Sequence, residues 1–150
     1  MSPLGASADC SYFAHVNKGL CVLDPVIHTP ANCAALSPLL YATVLAVTCK
    51  VMRPRDYAGC LRRANSLLGQ AMETGLLGIE VIQAIVLLTH WRKADDQSAY
   101  RRIGYAVRMA YELRLNVRGP RPLPTEEIAA RKMLNPERTW QCEYNQWKLR

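Results

Sequence analysis

The feature that most constrains this chain is the run IEVIQAIVLLT from Ile79 to Thr89, where only Glu80, Gln83 and Thr89 interrupt apolar side chains. A segment without a polar face has to be enclosed by neighbours. Its Val and Ile content argues for a strand, whereas its length between Gly78 and the polar turn from Lys93 to Gln97 argues for a buried helix. Helix is the reading adopted. The next segment, YRRIGYAVRMAYELRLNV, differs in kind. Ile103, Ala106, Val107, Ala110 and Leu113 recur at three- and four-residue steps, while Arg101, Arg102, Arg108, Glu112 and Arg114 fall largely on other faces. This is an amphipathic helix, capped at its start by Asp96 or Ser98 and ended by a left-handed residue at Asn116.

Upstream, residues 1–11 are small and polar and read as a frayed tail. Tyr12 to Leu23 reads as a short helix with an extended exit, broken at Asp24-Pro25 because proline disfavours helical geometry in the residue before it. Ser37-Pro38 gives a capping hydroxyl followed by proline at the first helical position, and predicts a helix from Pro38 to Met52 with a stripe of Leu40, Val44, Val47 and Val51. Arg53-Pro54 stops it. A second helix is predicted from Arg55 to Thr74, with Tyr57, Cys60, Leu61, Ala64, Leu67, Leu68, Ala71 and Met72 on one face and Gly75 as C-cap. Short connections between these helices imply antiparallel neighbours.

Downstream, VRGPRPLP is a loop, and Thr125 with Glu126 and Glu127 starts another helix that Asn135-Pro136-Glu137 either kinks or restarts. The segment QCEYNQWKLR, residues 141–150, is polar and patternless and reads as a tail. The fold class is therefore all-α, a multi-helix bundle of about five to six helices.

Hydrophobic residues at 50% and charged residues at 21% are globular proportions and exclude disorder throughout. The net charge of +7 is carried by basic residues standing singly or in pairs, as at Arg53/Arg55, Arg62/Arg63 and Arg101/Arg102, without aromatic platforms between them. These read as solvated helix faces and not as a nucleic-acid surface. The cysteines Cys10, Cys21, Cys33, Cys49, Cys60 and Cys142 show no CxxC or other ligand pairing, so they read as reduced, scattered thiols.

His15, His28 and His90 stand alone; His28 is assigned a turn-stabilising hydrogen bond. No basic leader precedes an apolar core at the start, and no apolar run approaches the ~20 residues that a bilayer requires. No GxSxG, glycine-rich phosphate loop, HExxH or calcium-loop pattern occurs, and no catalytic residue is assigned.

The strings LDPVIHTP, QAIVLLTHW, YRRIGYAVRMAYELRLN and ERTW, spanning roughly residues 12–140, resemble the fungal-specific transcription factor domain, the regulatory middle region of fungal zinc-cluster regulators of the xylanolytic-activator type. The positions that carry the resemblance are Gln83, Trp91, Gly104, Ala106, Arg108, Met109, Ala110, Leu113, Leu115, Glu137, Arg138 and Trp140. After ERTW the resemblance ends, which implies part of a larger helical domain that ends early and depends on partners for solubility. The resemblance implies a nuclear regulator of RNA polymerase II transcription and no enzyme activity. Its full-length relatives bind DNA through six cysteines on two zinc ions, and often form homodimers. None of the cysteines here matches that cluster, so no zinc ligand or cofactor is assigned to this chain. What remains is a module that gates activity through intramolecular contacts, a small-molecule effector or coregulators. The alternative is a helical interaction scaffold unrelated to transcription; a more remote one is an enzyme using one of the thiols.

Three structural expectations follow. Arg108, lying among apolar helix neighbours, is expected to pair with Glu137 or Glu112. Gly104, costly in mid-helix, is expected to admit the close approach of another helix. Trp91, Tyr105, Tyr111, Trp140 and Trp147 either line a pocket between helices or pack the core.

Overall fold

A helix that is apolar all round needs partners on every side, and the computed structural model, which describes residues 12–148, supplies them. A π turn at Tyr12–Val16 and a 3-10 turn at Asn17–Gly19 lead in. Six α-helices follow: α1 Pro30–Leu36, α2 Pro38–Met52, α3 Pro54–Glu73, α4 Ile79–His90, α5 Ala99–Glu112 and α6 Glu127–Lys148. Among the described residues there is no strand, and the chain is an all-α bundle. The frayed tail expected over residues 1–11, with Cys10, lies outside the described residues.

Every residue from Val81 to Thr89 is buried. Helix α4 packs against α2, α5 and α6 and touches α3 lightly. The short Gly75 to Gly78 connection therefore does not make α3 and α4 close neighbours, as loop length alone predicts. The reason is apolar area. Helix α2 buries residues on almost all sides, including Leu40, Thr43, Val44, Ala46, Val47 and Cys49, so it can face both α3 and α4, whereas α3 buries a single narrow stripe of Ala64, Leu68 and Ala71. At the far ends of their expected stripes, Val51 and Met72 are exposed.

The caps explain most of the boundaries. Ser37 Oγ accepts from the Leu40 amide at 3.1 Å and Pro38 opens α2 as expected. The same device, Thr29 with Pro30, opens α1, a short helix over residues to which the sequence reading assigned no element. Gly75, at φ +65, closes α3 with the Leu76 amide donating to the Ala71 carbonyl at 2.8 Å. An identical closure ends α5, Leu115 donating to Ala110 at 2.9 Å, but the left-handed residue is Arg114 at φ 57 and not Asn116. The helix ends two residues earlier than foreseen because Leu113 and Leu115 return to the apolar core after a single reversed residue.

Helix α6 corrects the reading of the C-terminal segment. Glu126 caps it, its carboxylate accepting from the Ile128 and Ala129 amides at 3.0 and 2.6 Å. The helix passes through Pro136 without restarting and reaches Lys148, so residues 141–148 are helical and not a tail. Thr139, Glu143 and Gln146 share its buried face.

Gly104 is also corrected: a β-carbon built there meets no atom within 4 Å, so no helix approaches it closely. Replacing a mid-helix glycine that has free space above it removes backbone entropy from the unfolded chain. Gly104→Ala is expected to stabilise the protein by about 1 kcal/mol, measured as a higher midpoint in urea with an unchanged slope.

Candidate functional site

The stretches singled out in the sequence converge where α6 crosses α4 and the Leu23 to Pro30 loop. Successive residues of a helix point in directions about 100° apart, so four in a row can reach four different neighbours. Residues Glu137 to Trp140 do so. Glu137 accepts from the Gly119 amide at 2.9 Å and pairs with Arg121 at 3.0 Å, holding the proline-rich loop. Arg138 pairs with Asp24 at 2.9 Å, and Arg131, further up α6, reaches the same carboxylate at 3.0 Å. Thr139 Oγ1 accepts from Gln83 Nε2 at 3.0 Å, and that amide also donates to Asn135 Oδ1 at 3.0 Å. Trp140 packs edge-on to Tyr111 and stacks on Tyr144.

Asp24 is only 3% exposed. Burial by itself raises its carboxyl, but the Val26 amide and the guanidiniums of Arg131 and Arg138 outweigh that and hold it below the usual carboxylate range. His28 Nδ1 lies 2.9 Å from the Asp24 amide and 3.1 Å from the Asp24 carbonyl, the turn bond expected of His28. Burial pulls the imidazole below its ordinary value and favours the neutral ring.

Further along, α4 and α6 run in the same direction, since Gln146 Nε2 donates to His90 Nδ1 at 2.8 Å one step beyond the Gln83 contact. Between them sits Glu143, fully buried with neither carboxylate oxygen hydrogen-bonded. Burial pushes it up from 4.5 to about 8. The polar letters of residues 141–150 concealed this inward-facing acid.

A cavity of about 480 Å³ opens where α2, α3 and the end of α4 meet the turn into α5. Ala46, Val47, Leu61, Leu88 and Trp91 give it apolar walls, and Asn65, Arg92, Lys93, Asp96 and Arg102 a polar mouth. Asp96 anchors that mouth, accepting from the Ser98 amide at 2.8 Å and pairing with Arg102. Lys50 Nζ ties the end of α2 to the Arg92 carbonyl at 2.8 Å. Of the five aromatic residues considered for a pocket, Trp91 alone lines this one; Trp147 stacks on Tyr100, and Tyr105 and Trp140 pack on the core.

The expected partner of Arg108 is corrected. Arg108 is exposed, reaches only the Gly104 carbonyl at 3.4 Å, and forms no ion pair among the described residues. It lies off the face that buries Ile103, Ala106, Met109 and Ala110, and Glu137 is already engaged by Arg121. Leu113 is half-buried beside the closure of α5. Sequence reading missed Asp24, Arg131, Thr139 and Glu143; Asp24 was visible only as a helix breaker.

Fold and contacts together define an all-α bundle whose last helix is fixed in register by buried polar groups. Protein priB of Lentinula edodes is 29% identical over 131 residues, a stretch covering 85% of this chain and 21% of that protein. The chain thus spans a minor part of the length of this curated relative. No family model and no solved structure matches the chain.

Asp24→Asn removes the charge that both arginines face. Because those arginines are part-exposed and can rehydrate, the expected loss is about 2 kcal/mol at neutral pH. The depressed carboxyl stabilises the fold above pH 3.8 and loses that effect as pH falls through its lower folded value. The gap between variant and wild type in denaturant titrations should therefore close in acid.

Glu143 has the opposite sign. The folded chain retains a proton that the unfolded chain has released, so stability falls as pH rises from 4.5 to about 8. Glu143→Gln is expected to remove that slope and to stabilise the protein by about 2–3 kcal/mol at pH 7, read from melts across this range.

Proposed function

We propose that the chain is a regulatory helical module of a fungal zinc-cluster transcription factor, acting in the nucleus on RNA polymerase II transcription without touching DNA itself. The observation that carries this reading is the meeting of three of the four resembling strings at one interlock: LDPVIHTP through Asp24, QAIVLLTHW through Gln83, and ERTW through Glu137 to Trp140. Residues that a family pattern groups together from distant parts of the sequence are here in contact. The match to 21% of a longer protein supports a module within a larger chain.

DNA contact, zinc and dimerisation belong, in this reading, to a separate six-cysteine cluster and linker. Among the described residues no group of three or more His, Cys, Asp or Glu side chains is placed to hold a metal. The cavity beside Trp91, with apolar walls and a charged mouth, is where a small-molecule effector fits best.

A second reading, a helical interaction scaffold, draws on the exposed Leu36 and Leu76, which line a groove between α1 and the end of α3, and on the exposed Met72 and Leu77. The same exposed side chains support partner dependence of the isolated chain. One experiment separates the two readings. Fused to a heterologous DNA-binding domain in a fungal reporter strain, the module should change reporter output several-fold, and Asp24→Asn, which frees α6 from its loop, should alter that change. Output identical to the DNA-binding domain alone, with both forms, favours the scaffold.

A further inference from the structure

Eleven positions apart in sequence, and without any motif to join them, Cys49 on α2 and Cys60 on α3 bring their sulfurs to 3.7 Å across the hairpin that Arg53-Pro54 turns. We propose that Cys49 and Cys60 form a reversible disulfide, a redox modification site that staples α2 to α3, with glutathione disulfide or a similar low-molecular-weight disulfide as oxidant. The inference is independent of the transcriptional reading.

The geometry assigns the two thiols different parts. Cys60 is half-buried and lines a surface cavity of about 190 Å³ together with Arg63, one turn further along α3, so an oxidant can reach it. Cys49 is buried behind it, 5% exposed. The Cys60 thiolate attacks one sulfur of the oxidant. That S–S bond breaks, one glutathione thiolate leaves, and a mixed disulfide remains on Cys60. The Cys49 thiolate then attacks Cys60 Sγ and expels the second glutathione. Two electrons have passed to the oxidant, and the two thiol protons go to solvent or to the departing thiolates. Closing the bond needs the sulfurs to approach from 3.7 Å to ~2.05 Å, a shift that side-chain rotation between packed helices can supply.

The remaining described cysteines are placed otherwise. Cys21 and Cys142 direct their sulfurs to the backbone carbonyls of Lys18 and Leu20, and Cys33 is buried on α1. The staple would also fix two walls of the large cavity, since Ala46 and Val47 come from α2 and Tyr57, Leu61 and Asn65 from α3. In the reduced pair, burial and the neighbouring Cys60 sulfur push the Cys49 thiol up to about 11, and bridge formation should quicken as pH rises.

The test uses the whole chain, oxidised with glutathione disulfide, quenched by alkylation and mapped by peptide mass. The expected result is one linked peptide pair containing Cys49 and Cys60, reversed by dithiothreitol. Cys49→Ser should accumulate a glutathione adduct on Cys60, and Cys60→Ser should form no bridge while melting as the reduced wild type does. Wild-type protein in which Cys49 and Cys60 both remain alkylatable after exhaustive oxidation, or which bridges through another cysteine, overturns the proposal without recourse to either variant.

Discussion

Dehydrating α4 on all its sides is the requirement from which the rest of this architecture follows. A helix with one apolar stripe needs one neighbour; a helix buried from Val81 to Thr89 needs a ring of them. The chain meets this need with helices of unequal character. Helix α2 is apolar enough to serve both α3 and α4, α5 offers the compact face of Ile103, Ala106 and Ala110, and α6 closes the remaining side. Hydrophobic burial drives that closure but does not fix which turn of α6 faces which turn of α4, because apolar surfaces slide past one another at little cost.

Register comes from the polar groups. Gln83 is the one amide in the buried length of α4, and Thr139 and Asn135 are the groups on α6 that accept from its Nε2; a shift of one turn would leave that Nε2 buried without a partner. Asp24 adds a second fixed point through Arg131 and Arg138, and Glu137 a third through the loop at Gly119 and Arg121. Net stabilisation from such pairs is small beside that of the core, since desolvation consumes most of the attraction. Their contribution is selection among packings that the core alone would tolerate.

What the sequence could disclose divides along the same line. Periodicity and caps act locally, so α2, α3, α4 and α5 were legible with their ends within a few residues, down to the Ser37 cap and the reversal at Gly75. Contacts between distant segments were not legible: the resemblance grouped Gln83, Glu137 and Arg138 without giving the partner of any of them. Arg108 shows how far that carries: it belongs to the same grouping, yet its position on α5 turns it to water. Arg114 in a left-handed conformation could not be read, because tertiary packing of Leu113 and Leu115 overrides the preference of the residue itself. The helical residues 141–148 were obscured because the buried face there is Glu143 and Gln146, polar letters that imitate a solvated segment.

That buried acid also shapes how the bundle responds to its medium. His28, whose burial and nearby Arg138 favour the neutral ring, supports the fold fully above its ordinary 6.5 and withdraws that support as pH falls. Glu143 works the other way, opposing the fold increasingly as pH climbs from 4.5 to about 8. Just below pH 6.5 the two work against each other as pH rises, the His28 contribution growing while that of Glu143 declines. The seam that sets the register of the last helix is thus also a place where proton binding and folding are linked.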